Sequence, residues 1–370
     1  MTAIDPDTRA LLDRFGFDEA RLRAHADALA AGTPVTNAVR GVVEAPTADD
    51  VVALPAVGTP EHAALHARGA AAIAAGQVGV VYLAGGMATR FGGVVKAVVP
   101  VLGDRTFLDL KLADAARVAR AYDATVPAWL LTSYATHAAL EAEVAGRAAD
   151  PRVPLACVPQ FVSLRLTTDG QLFREADGAL SPYAPGHGDL SFALRRAGVL
   201  DRFRAAGGRY LHMSNVDNLA ATLDPAVIGA HLASGRGLTA EVVRKDPGDR
   251  GGAPARVDGQ VQILEAFRFP PDFDQDAIAV FNTNTFVLDL DAIDRDFDLT
   301  FFHVAKQVDG TTAIQHERLV GELTAFVPTL FLEVPRTGLG GRFQPVKDVR
   351  ELESRRGEIE AILRARGVIA

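Results

Sequence analysis

Residues 83–100, LAGGMATRFGGVVKAVVP, directly follow an apolar run, VGVVYL, at 78–83. The apolar run is rich in β-branched residues, which is typical of a buried parallel strand. A glycine-rich turn after such a strand lets backbone N–H groups approach an anion, because no Cβ stands in the way. Arg90 and Lys96 add a planar fork of donors and a point charge, the two usual ways of holding phosphate oxygens. The segment therefore predicts a phosphate-binding loop in an α/β fold, although glycines that only make tight turns would give a similar pattern.

The composition is that of a globular protein with a sizeable core, since 48% of residues are hydrophobic and 23% are charged. The net charge of −8 argues against a nucleic-acid partner, and the absence of a long uncharged apolar stretch argues against a membrane span. The first residues show neither a basic nor an apolar leader region. Cys157 is the only cysteine, so no intrachain disulfide can form. We therefore expect a cytoplasmic protein.

Residues 1–75 are predicted to form a helical N-terminal segment, because apolar residues recur between charges at helical spacing. The sequence Thr-Pro-Glu at 59–61 is typical of a helix start, and Gly76 is typical of a helix end. Residues 76–300 are predicted to form the core domain. Residues 301–370 are predicted to form a C-terminal segment that completes the active site.

From residue 78 onward, predicted strands and helices alternate, which favours parallel βαβ units. The predicted strands lie at 78–84, 127–132, 154–158 and 209–214. Asp-Gly pairs at 169–170 and 258–259 predict hairpin turns, so we expect a mixed sheet flanked by helices.

The motif PGHGDL at 185–190 places His187 between two glycines, just before an amphipathic helix. The glycines would let the backbone approach a flat ligand, and the imidazole can donate to a phosphate or a sugar hydroxyl. An alternative is a turn with Asp189 as the N-cap of the helix. The two interpretations are compatible, because helix N-termini favour anions.

The motif HMSNVDN at 212–218 ends an apolar strand with a polar cluster. In open α/β sheets, the carboxyl ends of strands line the ligand crevice. Asp217 would be a hard oxygen ligand for a Mg²⁺ ion that phosphates also hold. Alternatively, Asp217 and Asn218 start a turn and cap the segment after it.

The motif FNTNTF at 281–286 interrupts an apolar strand with amides. Asn282 and Asn284 are expected on one face by the period of two, and amides suit sugar hydroxyls. Glu241, on the predicted strand 238–244, could accept from a further hydroxyl, although a glutamate on a strand is more often solvated.

Two C-terminal lysines, Lys306 and Lys347, could supply positive charge that the acidic chain otherwise lacks. Lys111, on the helical segment after the glycine-rich loop, is expected to contribute little to phosphate binding.

In this order, the motifs resemble those of the eukaryotic-type UDP-glucose pyrophosphorylase (UTP–glucose-1-phosphate uridylyltransferase) family. The resemblance extends from about residue 76 to residue 350. It rests on the glycine-rich loop, PQF (159–161), PGHGDL (185–190), SNVDNLAAT (214–222), E…K…GG (241–252), ILEAF (263–267), FNTNTF (281–286), KQVDG (306–310) and VPR…RF-PVK (334–347). The combination of PGHGD, NVDN and FNTN is specific, whereas each short match alone is weak.

The resemblance implies a Rossmann-like, GT-A-like nucleotidyltransferase that uses Mg²⁺ to join UTP and a sugar 1-phosphate, with glucose as the first expectation, into a UDP-sugar and pyrophosphate. It also implies a role for each matching residue. Leu83, Ala84, Gly85 and Gly86 would hold the base and ribose, Gln160 and Gly186 the uracil edge, Arg90, Lys96, Lys306 and Lys347 the phosphates, His187, Asn215, Glu241, Asn282 and Asn284 the sugar phosphate, and Asp217 the metal.

The sequence departs from the family pattern at three places. Ala88 stands at the third glycine of the loop, with Arg90 close behind it, and Thr285 stands where FNTNN would carry asparagine. The chain ends soon after Lys347, so the β-helix domain that usually follows is expected to be absent, and with it any oligomerisation that the domain mediates.

Three alternatives remain open at the level of sequence. The same chemistry could use another nucleotide, such as GTP or ATP, or another sugar or cyclitol 1-phosphate, since discrimination rests on a few hydrogen bonds. A non-catalytic nucleotide-sugar-binding protein is also possible. We expect a monomer or a small homo-oligomer.

Overall fold

The protein is described by a computed structural model that covers residues 4–33, 36–88, 91–249 and 251–370. The helices are α1 Pro6–Arg14, α2 Glu19–Ala30, α3 Pro60–Ala74, α4 Phe107–Ala121, α5 His137–Gly146, α6 Leu190–Arg196, α7 Val199–Ala205, α8 Pro225–Ser234, α9 Leu290–Ile293 and α10 Val349–Ala365. The strands are β1 Val43–Glu44, β2 Val51–Ala53, β3 Val78–Leu83, β4 Met87–Ala88, β5 Val94–Val95, β6 Pro100–Leu102, β7 Arg105–Thr106, β8 Ala128–Thr132, β9 Leu155–Pro159, β10 Ser163–Leu164, β11 Pro182–Tyr183, β12 Tyr210–Asn215, β13 Leu238–Arg244, β14 Ala253–Val257, β15 Gln260–Leu264, β16 Val280–Asp289, β17 Phe302–Val308, β18 Thr311–Glu317 and β19 Thr329–Glu333. In this part of the chain, no helix combines the length and the apolar character needed to cross a membrane.

The centre of the fold is an eight-stranded sheet of order β2-β19-β13-β16-β12-β3-β8-β9. Strand β16 pairs antiparallel with both of its neighbours, and the remaining pairs are parallel. The predicted mixed α/β sheet flanked by helices is therefore confirmed. The chain passes from β3 to β8 and β9 on one side and later returns to β12 on the other. The carboxyl ends of β3 and β12 consequently meet at a topological switch point, where open sheets bind their ligands.

The predicted strands agree with the structure to within one residue at each end, because they are short apolar runs. Strands β3, β8 and β12 are largely buried, whereas β9 lies at the sheet edge and is only partly buried. Along β3, Val80 and Tyr82 join one apolar cluster and Val81 joins another, as the period of two requires. The first cluster packs under α3, α4, α8 and α10, and the second packs under α6, α7 and α9. The sheet thus has a core on each face.

The N-terminal segment contains the predicted α3, and the Thr59 hydroxyl accepts from the His62 N–H at 3.2 Å as expected for an N-cap. The helical N-terminal segment predicted at 1–75 contains α1, α2 and α3, and this range also contributes β1 and β2. Strand β2 pairs with β19, and β19 pairs with β13, so residues from both ends of the chain complete one edge of the main sheet. Short edge strands of two or three residues carry too little periodicity to be recognised.

The hairpin predicted at 258–259 connects β14 to β15, and Asp258 and Gly259 both have positive φ, at 47° and 84°. This is the backbone that two-residue hairpin loops require. The Asp-Gly pair at 169–170 also forms a tight turn, since Leu166 and Leu172 form an antiparallel bridge around it.

Candidate active site

A cleft of about 380 Å³ opens at the carboxyl ends of β3, β9 and β12. We call this volume the cleft. Its lining residues are Leu83, Gly85, Gly86, Lys96, Gln160, Ala184, Gly186, His187, Asn215, Val216 and Asp217. Nine of the predicted site residues therefore meet in one place, although they come from four separate stretches of sequence.

The glycine-rich loop is held from behind by hydroxyl groups at the end of β8. The Thr136 hydroxyl donates to the Ala84 carbonyl at 3.0 Å, and the Ser133 hydroxyl donates to the Gly85 carbonyl at 2.8 Å. These hydrogen bonds turn the two carbonyl groups of the loop toward the segment that follows β8. Ala84 itself is buried, so it can act only through its backbone.

Gly85 also packs closely against Gln160 at the end of β9. A Cβ on Gly85 would lie 2.5 Å from Gln160 Nε2, and the Gln160 side chain is buried. The absence of a side chain at residue 85 therefore lets the Gln160 amide reach the cleft wall. Arg90, predicted to contact the triphosphate, lies outside the described residues.

Lys96 and Asp217 meet inside the cleft from opposite walls. The Lys96 ammonium donates to Asp217 Oδ2, and both side chains are largely buried. The ammonium thus lies where a cation would meet the Asp217 carboxylate. Among the described residues, no three His, Cys, Asp or Glu side chains are arranged as a metal centre. A Mg²⁺ ion here would be held by Asp217 together with substrate oxygens, which is how Mg²⁺ usually binds.

The loop that carries His187 is built on the backbone of Arg318. The Gly188 N–H donates to the Arg318 carbonyl at 2.9 Å, and a Cβ on Gly188 would lie 2.5 Å from the Arg318 carbonyl carbon. At Gly188, the close approach expected for a flat ligand is therefore made by the protein's own backbone instead. Asp189 does not cap α6 with its side chain, because its carboxylate accepts from the Phe161 N–H at 2.9 Å and from Arg318 Nε at 2.5 Å.

His187 is held as a neutral donor. Burial lowers the pKa of its imidazole to about 4. Nδ1 accepts from the Val320 N–H at 3.1 Å, which places the proton of the neutral ring on Nε2. The ring therefore offers one N–H to the cleft.

The asparagines of the FNTNTF motif lie beside the end of β12. Asn284 Nδ2 donates to Asn215 Oδ1 at 2.9 Å, and Asn282 Oδ1 accepts from the Asn284 N–H at 3.0 Å. Both Asn282 and Asn284 are half-buried, whereas Thr283 and Thr285 are buried, so exposure alternates along this stretch. The strand is nevertheless irregular, because the register with β13 shifts between Glu241 and Val242, and Asn284 has φ 57°.

Six predicted site residues with described positions are not among the residues that line the cleft, namely Ala84, Asn282, Asn284, Glu241, Lys306 and Lys347. The last three are charged. Glu241 is neither solvated nor open to a ligand, since it is fully buried and both of its carboxylate oxygens accept from Arg342. Lys306 lies exposed on β17, with Nζ 3.5 Å from Glu317 Oε1. Lys347 is exposed just before α10. The structure thus places these three charges outside the cleft lining.

Some residues beneath the cleft were missed or misjudged from the sequence. Lys111, which was expected to contribute little, is a buried residue of α4. Its Nζ donates to Ser214 Oγ at 3.0 Å and to the Ala221 carbonyl at 2.8 Å. Burial lowers the pKa of this ammonium to about 7. Asn218 bridges to the C-terminal segment, donating to the Arg342 carbonyl at 3.1 Å and accepting from the Gln344 N–H at 2.9 Å.

Comparison with known proteins identifies the family of the chain. The family model described as UTP--glucose-1-phosphate uridylyltransferase matches residues 39–359. The chain belongs to this family. The family member from Hordeum vulgare, named UTP--glucose-1-phosphate uridylyltransferase, is 28% identical over 289 residues, which cover 74% of this chain and 60% of that protein. The protein of the same name from Saccharomyces cerevisiae is 33% identical over 229 residues, covering 59% of this chain and 46% of that protein.

The chain thus spans about 60% of the length of relatives such as the Hordeum vulgare protein. Solved structures share the fold. A UDP-glucose pyrophosphorylase mutant from Leishmania major in complex with UDP-glucose superposes with a TM-score of 0.72 at 21% identity, covering 95% of this chain and 79% of that one. The uridine diphosphate N-acetylglucosamine pyrophosphorylase from Trypanosoma brucei superposes with a TM-score of 0.76 at 18% identity, covering 98% of this chain and 79% of that one.

Proposed function

We propose that this protein transfers a uridylyl group from UTP to a sugar 1-phosphate, with glucose 1-phosphate as the first candidate, and releases pyrophosphate. The observation that carries the proposal is the cleft at the switch point, where Gly85–Gly86, Lys96, His187 and Asp217 converge. The family membership of the chain supports the same reaction.

The nucleoside would lie between the glycine-rich loop and Gln160. The backbone of Leu83 to Gly86 forms one wall, and its inner carbonyls are already taken by Ser133 and Thr136. The Gln160 amide carries both a donor and an acceptor, as the edge of uracil requires, and Gly186 lies across the cleft from it.

The phosphates would lie near Lys96 and Asp217. When substrate enters, we expect Lys96 to turn from Asp217 to the phosphate oxygens, which frees the carboxylate to hold Mg²⁺ jointly with those oxygens. Bound Mg²⁺ would supply charge neutralisation at the pyrophosphate leaving group. Lys306, Lys347 and Arg90 are proposed as further cations, and the first two would have to approach the cleft from their present positions.

The sugar phosphate would lie on the side of His187, Asn215, Asn282 and Asn284. The Nε2–H group of His187 can donate to a phosphate oxygen or a hydroxyl, and its low pKa keeps this donor neutral at pH 7. The amides of Asn215 and Asn284 bind each other, so their remaining donors and acceptors are held in a fixed orientation toward the sugar.

The reaction would proceed by in-line attack of the sugar phosphate oxygen on the α-phosphorus of UTP. No serine or cysteine lines the cleft in the described ranges, so a covalent intermediate at either residue type has no support. Catalysis would then come from holding two anions together and neutralising their charge.

The decisive experiment is an activity panel of UTP, GTP, ATP and CTP against several sugar 1-phosphates, followed by release of pyrophosphate. We expect turnover with UTP and a hexose 1-phosphate that depends on Mg²⁺. Preference for another nucleotide would reassign the base and leave the reaction class intact. Binding of UDP-glucose without any turnover across the panel would instead support a non-catalytic binding protein.

A further inference from the structure

A buried ion pair joins β13 to the C-terminal segment of the chain. Glu241, in the middle of β13, is fully buried. Its Oε2 accepts from Arg342 Nε at 2.6 Å, and its Oε1 accepts from Arg342 Nη2 at 2.7 Å. This is the bidentate arrangement in which the planar guanidinium fixes the orientation of a carboxylate as well as its charge.

Arg342 belongs to the C-terminal segment that follows β19, and it is 1% exposed. Its Nη2 also donates to the Thr222 carbonyl at 3.0 Å, in the loop after β12. The third nitrogen, Nη1, makes no hydrogen bond and lies 3.5 Å from Asp224 Oδ2. The guanidinium is therefore held both by β13, through Glu241, and by the loop after β12, through Thr222.

The backbone around Arg342 is tied to the turn that carries Asp217. The amide of Asn218, the next residue, binds the Arg342 carbonyl at 3.1 Å and the Gln344 N–H at 2.9 Å. From the other side, Arg366 donates to the Gly341 carbonyl at 2.7 Å. The position of the Arg342 side chain is thus fixed relative to Asp217.

Glu241 in turn lies at the irregularity in β16. It pairs with Thr285, and the next residue, Val242, pairs with Asn282, so the bulge begins at Glu241. The Thr283 hydroxyl donates to the Glu241 carbonyl at 2.9 Å. A displacement of Glu241 would therefore move the two asparagines that line the proposed sugar side.

We propose that Arg342 is a positioning residue for sugar recognition, which holds the Glu241 carboxylate ionised and in place and thereby sets the bulge that presents Asn282 and Asn284. This inference rests on the proposed function. It assigns to the C-terminal segment a role in specificity for the sugar rather than in binding UTP.

The charges around Glu241 explain why Arg342 is needed. Burial by itself would raise the pKa of this carboxyl group, but Arg342, which binds both of its oxygens, outweighs burial and lowers the pKa to about 2. His212 Nε2 lies 3.8 Å from Glu241 Oε1, and Lys111 and Arg366 add weaker positive potential. Asp114 and Asp224 face Arg342 instead. Without Arg342, burial would dominate and Glu241 would titrate at a higher pH.

The test compares Arg342→Gln, Arg342→Lys, Glu241→Gln and the double variant Glu241→Gln/Arg342→Gln. For Arg342→Gln we expect kcat/KM for sugar 1-phosphate to fall by roughly 10- to 100-fold, with KM for UTP changed by less than about twofold. Its activity should also fall as the pH is lowered, along an acid limb that wild type lacks, because the buried carboxylate now takes up a proton. That limb should vanish in the double variant, and Arg342→Lys should move it back to lower pH.

Arg256→Gln is the matched control. Arg256 forms a comparable two-point pair with Asp50, at 2.8 Å and 2.6 Å, on β14 and outside the cleft lining. We expect it to leave both the pH profile and the ratio of the two KM values as in wild type.

If Arg342→Gln does not fold, Glu241→Gln/Arg342→Met removes both charges and keeps the packing volume, which buried pairs usually tolerate. It should match Glu241→Gln in kcat/KM, because Arg342 would act only through Glu241. A further loss in that variant would overturn the proposal, as would equal losses toward both substrates without a new acid limb. Inactive wild type across the substrate panel would be a different failure, that of the proposed function.

Discussion

At the scale of single residues, the contact between Lys96 and Asp217 sets the electrostatics of the cleft. Lys96 is the cation that lines the cleft among the described residues, in a chain of net charge −8. We predict that Lys96→Ala lowers kcat by about 10²- to 10³-fold, the usual cost of removing one preorganised charge donor. Arg120→Ala, which removes an exposed cation on the outer side of α4, is the control and should change kcat little. Equal losses in the two variants would mean that Lys96 acts only through the net charge.

Asp217 gives a second prediction at this scale. Asp217→Asn keeps the shape of the side chain and should leave the fold intact, but it removes the negative charge that would hold Mg²⁺. We expect turnover to fall by about 10²-fold or more, with a higher Mg²⁺ concentration needed for half-maximal rate. A magnesium titration of initial rates measures both effects. Wild-type turnover at saturating Mg²⁺ would remove Asp217 from the proposed metal site.

Predictions for single residues succeeded where the sequence sets backbone position and failed where a distant segment supplies the partner. Gly85, Gly86 and Asp217 lie within three residues of the ends of β3 and β12, so their place at the strand ends could be predicted. The burial of Glu241 depends on Arg342, about a hundred residues further along the chain. No local pattern joins the two residues, and a glutamate on a strand gave no sign of its partner.

At the scale of elements, the bulge in β16 is the feature that sequence periodicity missed. Asn284 has φ 57°, a conformation that asparagine tolerates and glycine adopts freely. Asn284→Gly should therefore keep the backbone and lose the amide bond to Asn215. We expect KM for sugar 1-phosphate to rise about 5- to 100-fold, with the free energy of unfolding changed by less than about 1 kcal/mol.

Asn284→Ala is the comparison variant, because it loses the same amide and must also adopt a left-handed backbone, at a cost of about 1–2 kcal/mol. Its melting temperature should fall below that of Asn284→Gly, while the two KM values agree. A rise in KM for UTP as large as that for sugar 1-phosphate would contradict the assignment of this strand to the sugar.

Helix α4 shows both the reach and the limit of pattern analysis. Its buried face includes Phe107, Lys111, Ala115 and Val118, which follow helical spacing. The position of Lys111 within that stripe is the sequence signal of its burial, although lysine as a residue type is rarely buried. The sequence indicates that Lys111 lies on the buried face of the helix. Only the structure shows that Ser214 and the Ala221 carbonyl are its partners.

We therefore predict that Lys111→Ala lowers the free energy of unfolding by about 2–5 kcal/mol, because it leaves a cavity and two acceptors without their donor. Lys111→Met keeps most of the volume and should cost less than half as much. Chemical denaturation of both variants measures the difference. Wild-type stability of the alanine variant would show that the burial of this ammonium is of no energetic importance.

At the scale of the whole molecule, the fold could be predicted because the sheet is made of short apolar runs with glycine-rich ends. The edge made by β2 and β19 could not, since it joins residues about 280 positions apart through strands of three to five residues. Residues that are far apart in the sequence also meet where α2 packs against the β17–β18 hairpin. There, the rings of His25 and His316 stack at 3.8 Å, and His303 meets His316 edge-on at 5.6 Å.

This histidine cluster predicts how stability depends on pH. Burial lowers the pKa of His25 to about 4 and that of His316 to about 3, with neighbouring positive charges adding to the effect. The unfolded chain, with histidine pKa values near 6.5, binds more protons than the folded chain below that pH. Stability should therefore be complete above about pH 6.5 and fall as the pH decreases toward 4, by on the order of 2 kcal/mol. Differential scanning calorimetry should show that His316→Phe, which keeps a ring in the stack, flattens this decline, while His62→Phe on α3 serves as the control. An unchanged decline in His316→Phe would place the acid-sensitive groups elsewhere in the protein.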